Sequence, residues 1–346
     1  MAKRVAIPRA LLYYQYYPMW KTFFEELGAE VITSDETSKM ILAQGSARVV
    51  SETCLPTKVF CGHVISISNQ ADYVFIPSIR SLKPQVYNCS KFLGLPDLVR
   101  GTVKESPTIL DIEIDVNKGP RKVREQIHTL GRHFTINPFK INSAYERALA
   151  MDETYKRLMR EEKLAPPEAI ARLTGTNDKK GEAKSRSLGF SSGHVSDQRS
   201  NHGADLKVAL ISHPYNIYDT FINHNMIARL KQMGVNIVTA ETAPEGALDK
   251  GVTTLVGKQY WTFEDEIVGA GGHYLNEDVD GLICVVCFGC GPDSLMVDVI
   301  QRAAKQHANK PFMVVTLDEH TGEAGLITRL EAFVDMLYRR RVRAAS

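Results

Sequence analysis

No apolar run in this sequence approaches the roughly 18–20 residues that a membrane-spanning helix needs. Charge of one sign is also missing, since 42 Lys and Arg against 40 Asp and Glu leave a formal net charge of +2. The first absence argues against a helical span, the second against a polyanionic partner such as nucleic acid. Neither half carries G-x-G-x-x-G after its first strand, and G-x-x-x-x-G-K-[ST] does not occur. No dinucleotide or ATP site is therefore marked. The start, MAKRVAIPRALLYY, lacks the long apolar stretch and small-residue cleavage site of a signal peptide, because Pro8 and Arg9 interrupt it. It reads as the start of a cytoplasmic protein. The basic stretch Arg339–Arg343 suits a solvated helix C-terminus.

With 44% hydrophobic and 24% charged residues, 346 residues suffice for two or three domains with cores of their own. The pattern shows two halves of the same order. RVAIP is a short β-branched run, followed by the amphipathic YYQYYPMWKTFFEELG and then by AEVITS. After Lys207 the order recurs as KVALISHPYNIY, DTFINHNMIARLKQMG and VNIVTAE, with Gly28 and Gly234 each ending a helix. A further apolar strand follows in each half, YVFIPSI and GLICVVC, and PFMVVTLDEH supplies the last strand before a closing helix. Apolar strands alternating with helices predict parallel sheets covered on both faces, with ligands at the carboxyl ends of strands. The expected fold is α/β: two Rossmann-like or flavodoxin-like lobes with parallel sheets and the functional site in the cleft between them. Residues 1–138 form the N-terminal lobe, 139–205 a long helix and a Gly- and Ser-rich linker, and 206–346 the C-terminal lobe.

Five of the six cysteines fall in two stretches. SETCLPTKVFCGHV, Ser51 to Val64, holds Cys54 and Cys61, and GLICVVCFGCGPDS, Gly281 to Ser294, holds Cys284, Cys287 and Cys290 at C-x2-C-x2-C spacing. Cys89 stands apart in VYNCSKFLG. In a reducing compartment such clusters point to metal or redox chemistry rather than disulfides. The triple spacing can fold three thiolates around one centre, as in iron-sulfur ligation. Cys54 and the Cys287–Cys290 loop each stand just before a helix that starts with proline, where backbone N–H groups favour a thiolate. Free cysteine is also a small buried hydrophobe, and Cys284, inside its strand, admits either role. Zinc is the other metal choice, though a three-and-three division suits its four-ligand knuckles poorly. Glu52, His63 and His213 are candidate proton donors. A capping carboxylate and a hydrogen-bonded core histidine are the plainer readings of the first two. Lys58 admits pairing with an anionic centre or with solvent, and Tyr215 follows the same strand as His213.

Together, the run E-x-C-x-P-x-K-x-x-x-G-H from Glu52 to His63, the segment FGCGPDS and the stretch LDEHTGEAGLITRLEAF resemble the 2-hydroxyacyl-CoA dehydratase and benzoyl-CoA reductase superfamily. The resemblance is closest to its short activase-associated branch, which includes double-cubane cluster proteins. It implies an oxygen-sensitive iron-sulfur reductase component that takes low-potential electrons from an ATP-hydrolysing activase of the actin-like type, itself carrying an iron-sulfur cluster, and reduces a small-molecule substrate. It also implies a homodimer and a cofactor held in the cleft. An 8Fe-9S double cubane would draw on all six residues, Cys54, Cys61, Cys89, Cys284, Cys287 and Cys290. A single 4Fe-4S cubane in a dehydratase-like subunit is the alternative, and a non-enzymatic iron-sulfur carrier or redox regulator is the third. The stretch 176–205 has no counterpart that aligns.

Overall fold

The computed structural model describes residues 2–175, 206–308 and 310–345, so the stretch read as a linker, 176–205, lies outside the described residues. The strands are β1 (Arg4–Ile7), β2 (Glu30–Thr33), β3 (Tyr73–Phe75), β4 (Ser78–Ser81), β5 (Thr108–Leu110), β6 (Glu113–Asp115), β7 (Leu206–Ile211), β8 (Val235–Val238), β9 (Gly281–Cys287) and β10 (Phe312–Leu317). The first sheet runs β2-β1-β3-β5 and the second β8-β7-β9-β10, both all-parallel, while β4 and β6 form a small parallel pair. Both sheets thus share the order 2-1-3-4, and each turns back on itself beside its first strand. In such sheets that reversal point is where ligands collect. In the second lobe it lies between the carboxyl ends of β7 and β9.

Alternation along β9 assigns its side chains to two layers. Ile283, Val285 and Cys287 join a core that runs through the first lobe, whereas Leu282, Cys284 and Val286 face a separate core under the helices Val268–Asn276 and Gly291–Ala303. The first core is continuous across both lobes. Tyr14 donates its hydroxyl to the Tyr218 carbonyl at 3.1 Å, and Tyr155 donates to the Tyr14 carbonyl at 2.6 Å. Tyr155 lies on the long helix Pro138–Glu161, whose amino end is capped by the Asn137 side chain. This helix packs along the first helix, Tyr13–Glu26, through the Arg147–Glu26 pair at 2.8 Å, and reaches the second lobe through Arg160 and Glu245 at 3.1 Å.

The helix Leu55–Ile67 is gripped from both sides. Against Lys39–Ser46 the backbones touch: a Cβ on Gly62 would fall 2.0 Å from the Ile41 carbonyl oxygen, and one on Gly45 would fall 1.8 Å from that of Lys58. Toward the second lobe Lys58, only 2% exposed, pairs with the Glu319 carboxylate and donates to the Ser51 carbonyl at 2.8 Å. Lys58 is therefore shielded from solvent and ties the helix start to the loop after β10.

Candidate functional site

Four of the six cysteines, Cys54, Cys89, Cys287 and Cys290, line one pocket together with Phe92 and Tyr215. Cys54 is the residue before the helix Leu55–Ile67 and Cys290 the residue before Gly291–Ala303, each with proline in the first turn. Both sulfurs therefore sit at the positive end of a helix, where free backbone N–H groups favour negative charge. Cys89 precedes the short turn Ser90–Leu93, and Cys287 ends β9 at the sheet's reversal point. Gly289, at φ +81°, lets the chain double back between Cys287 and Cys290. A Cβ there would meet the Glu52 carbonyl oxygen at 3.3 Å and the Cys54 Cα at 3.7 Å, so the cysteine loops of the two lobes touch at this glycine.

The sulfurs feel one another. Burial pushes the Cys287 thiol well above its usual value, and Asp293, Cys54 and Cys290 push it further. Cys290 is raised by burial, then by Asp293 and Cys54, and Cys89 is raised by burial, opposed by nearby backbone N–H groups. The Cys287 thiol donates to Asn216 Oδ1 at 3.1 Å, and Cys54 shares a 3.3 Å hydrogen bond with the Thr57 hydroxyl. Cys61 and Cys284 behave differently. Burial pushes Cys61 up to about 11 inside the first core, with only Thr102 opposing, and Cys284 is raised by burial alone inside the second. Neither lines the pocket. Among the described residues no three His, Cys, Asp or Glu side chains converge closely enough to hold a single metal ion.

His213 follows β7 directly, before the turn Pro214–Ile217. Its Nδ1–H donates to Glu266 Oε2 at 2.6 Å and its Nε2–H to Asp293 Oδ1 at 3.0 Å, while Tyr215 stacks on the ring at 5.0 Å between centroids. Burial by itself would lower the His213 pKa, but the two carboxylates raise it well above the usual value, so the ring is an imidazolium. Burial lifts Glu266 to about 6 against the pull of His213. Asp293 lines the cysteine pocket, which makes His213 the one candidate proton donor connected to it.

His63 and Glu52 lie elsewhere. Burial drives His63 down to about 3, so it is neutral. Ser34 donates to Nδ1 at 2.8 Å, Nε2–H donates to the Thr37 hydroxyl at 2.9 Å, and Thr37 donates to Asp219 of the second lobe. His63 is thus a core histidine in an interlobe hydrogen-bond chain. Glu52 is exposed, and the Ser51 hydroxyl bond at 2.8 Å holds its carboxyl below the usual range, leaving it ionised at neutral pH. Sequence reasoning passed over Asn216, Asp293 and Glu266. The first two lie inside the stretches already singled out, whereas no local pattern marks Glu266.

A family model described as the CoA enzyme activase uncharacterised domain (DUF2229) matches residues 4–242, more than half of the chain. The chain belongs to this family. DUF2229 membership agrees with the activase-associated superfamily named above and with a role beside an ATP-dependent activase. The matched segment contains Cys54, Cys89 and His213, while Cys287 and Cys290 lie beyond it. No curated protein matches the chain. Among the described residues no helix is long and apolar enough to cross a membrane.

Proposed function

We propose that this DUF2229 protein is an iron-sulfur reductase component in which Cys54, Cys89, Cys287 and Cys290 hold one cubane-type cluster charged by an ATP-hydrolysing activase. The observation that carries the reading is the meeting of four cysteines from three separate segments in one pocket. The donor set fits such a group. Burial raises the Cys89, Cys287 and Cys290 thiols, and the charge of iron would offset that cost by favouring the thiolates. Sulfurs spread around a pocket suit several irons, each taking one thiolate, better than a single ion. Bound there, the cluster would store and release single electrons at low potential.

The rest of the chemistry belongs to the protein. Asn216 and Thr57 orient Cys287 and Cys54, while Phe92 and Leu11 supply apolar wall beside the sulfurs. His213 holds a proton at Nε2 facing Asp293 and a second at Nδ1 facing Glu266, so protons can accompany electrons without crossing the sulfur layer. Phe288, 67% exposed between two of the cysteines, offers an apolar contact for the electron donor. Four thiolates on four irons leave no iron open to a hydroxyacyl carbonyl, which favours electron transfer over the dehydratase alternative. The six-cysteine double cubane would additionally need Cys61 and Cys284, which sit in the two cores.

Iron and acid-labile sulfide per chain, measured on protein purified without oxygen and followed by electron paramagnetic resonance after reduction, test the proposal. About four irons and a reducible signal are expected. About eight irons would restore the double cubane, and zinc in place of iron would overturn the redox reading.

A further inference from the structure

Between β4 and Cys89 the chain leans across onto the second lobe. Residues 83–86 make a tight turn: the Val86 N–H donates to the Lys83 carbonyl at 3.2 Å, with Pro84 at the second position and Gln85, at φ +61°, at the third. Proline suits the second position of such a turn, while a positive φ at the third is ordinarily left to glycine. The Asn117 side chain holds the turn by accepting the Gln85 N–H at 2.7 Å. Both ends of the turn meet the second lobe. Lys83 Nζ donates to Asp249 at 3.0 Å, Gln259 at 3.2 Å and Asp265 at 2.8 Å, so second-lobe acceptors take all three protons of a first-lobe ammonium. Tyr87 adds a single rung of parallel ladder against Trp261, its N–H donating to the Tyr260 carbonyl at 3.3 Å and its carbonyl accepting the Thr262 N–H at 3.0 Å.

The receiving segment is braced for this contact. Glu264 accepts the N–H groups of Tyr260 and Trp261, and Gln259 Nε2 donates to the Trp261 and Thr262 carbonyls at 2.8 and 3.0 Å, which turns its Oε1 to Lys83. Behind the join lies a cavity of about 40 Å³, walled by Asn88 and Trp261 on one side and by Cys89, Cys290, His213 and Asp293 on the other. It adjoins the cysteine pocket, with which it shares Cys89, Cys290 and Asp293, whereas Cys54 lines that pocket alone. Other joins between the lobes are buried: Lys58 meets Glu319 out of solvent, and Tyr14 reaches Tyr218 inside the core. Here Tyr87 and Tyr260 are 53% and 62% exposed, and Asp249 is exposed as well. Segments held by a few solvent-exposed hydrogen bonds open at the least cost. Exposed ion pairs are also the ones that salt weakens.

We propose that residues 83–88 form a salt-sensitive lid on the cysteine pocket. Docked on residues 259–265, the lid closes the side on which His213 and Asp293 stand; undocked, it opens that side and exposes Cys89 and Cys290 to small molecules. Phe92 packs on Phe263 at 5.5 Å between ring centroids, just beyond Cys89, and marks where the movement stops. The lid is a property of the pocket's walls rather than of what the cysteines hold, so it stands or falls apart from the iron-sulfur reading.

The test is thiol labelling of the full chain prepared without iron. The parent, Lys83→Met and Asp265→Asn are treated with N-ethylmaleimide in about 20 mM and about 500 mM sodium chloride, and labelling of each cysteine is followed by peptide mass spectrometry. In the parent, Cys89 and Cys290 are labelled about three- to tenfold faster at high salt. Both variants show the faster rate already at low salt, and salt adds little to it. Cys54 keeps its rate throughout, and Cys61 and Cys284, in the two cores, stay unlabelled. Equal rates at Cys89 and Cys290 in all three proteins and at both salts overturn the proposal. So does Cys54 accelerating with them, because the lobes then part as a whole, and so does labelling of Cys61 and Cys284 alongside them in the parent at high salt, because the chain then unfolds. The salt comparison on the parent needs no substitution, so a variant that fails to fold leaves the test standing.

Discussion

Cys284 and Cys287 stand three residues apart on one strand, and replacing each by alanine separates packing from ligation. Both side chains are essentially inaccessible, at 0% and 1% exposure. Losing a buried sulfur costs about 1 kcal/mol of transfer free energy, and the cavity left behind brings the total to about 1–2 kcal/mol. Cys287→Ala also removes the donor to Asn216 and leaves an oxygen unmet, about 1 kcal/mol more. Without iron the two variants should therefore differ by only about 1 kcal/mol in urea unfolding. With iron they should part. Cys284→Ala keeps the parent's iron and its paramagnetic signal, whereas Cys287→Ala loses most of both, together with the stability that a bound cluster adds to the native state. Iron lost from Cys284→Ala as completely as from Cys287→Ala, or kept in full by Cys287→Ala, would refute the four-cysteine pocket.

Three further outcomes follow from the same structure. Because His63 stays neutral down to about pH 3 when folded but titrates near 6.5 when unfolded, the unfolded state binds the extra proton between these values. Stability is fully present above about pH 6.5 and falls with pH, by up to about 1.4 kcal/mol per unit; urea melts of His63→Gln should show a flatter slope across that window, and an unchanged slope counts against the assignment. Gly62→Ala drives a methyl group into the Ile41 carbonyl and should cost at least about 3 kcal/mol in the same assay, so a near-neutral result would mean the two helices do not touch. Glu319→Ala leaves the buried Lys58 ammonium without its carboxylate and should cost about 3 kcal/mol; a loss under about 0.5 kcal/mol would make the pair no better than a surface one.

What sequence could and could not reveal turns on direction and distance. Alternating apolar strands and helices were enough to anticipate two parallel-sheet lobes, because strands buried on both faces leave that pattern. Cysteine spacing was a poorer guide. Cys61, seven residues after Cys54, returns to nearly the same side of its helix, but seven residues also advance about 10 Å along the axis, which carries it out of the pocket and into the core. The alternation of β9 was readable in principle: residues 284 and 287 differ by an odd number and so point to opposite faces. His213 at a strand end was legible for the same reason that ligands gather there. Glu266 was not, since only tertiary packing brings it to His213, and His63 looked available because its partners Ser34 and Thr37 lie almost thirty residues upstream.

The contact of Gly289 with Cys54 also sets an order of events in the cell. Roughly two hundred residues separate Cys89 from Cys287, about 10–40 s of synthesis at ~5–20 residues per second. Throughout that interval the first lobe carries two of the pocket thiols and the ribosome has not yet made the others. On the iron-sulfur reading proposed above, loading therefore waits until both lobes are made, and the join between them is where iron would have to enter.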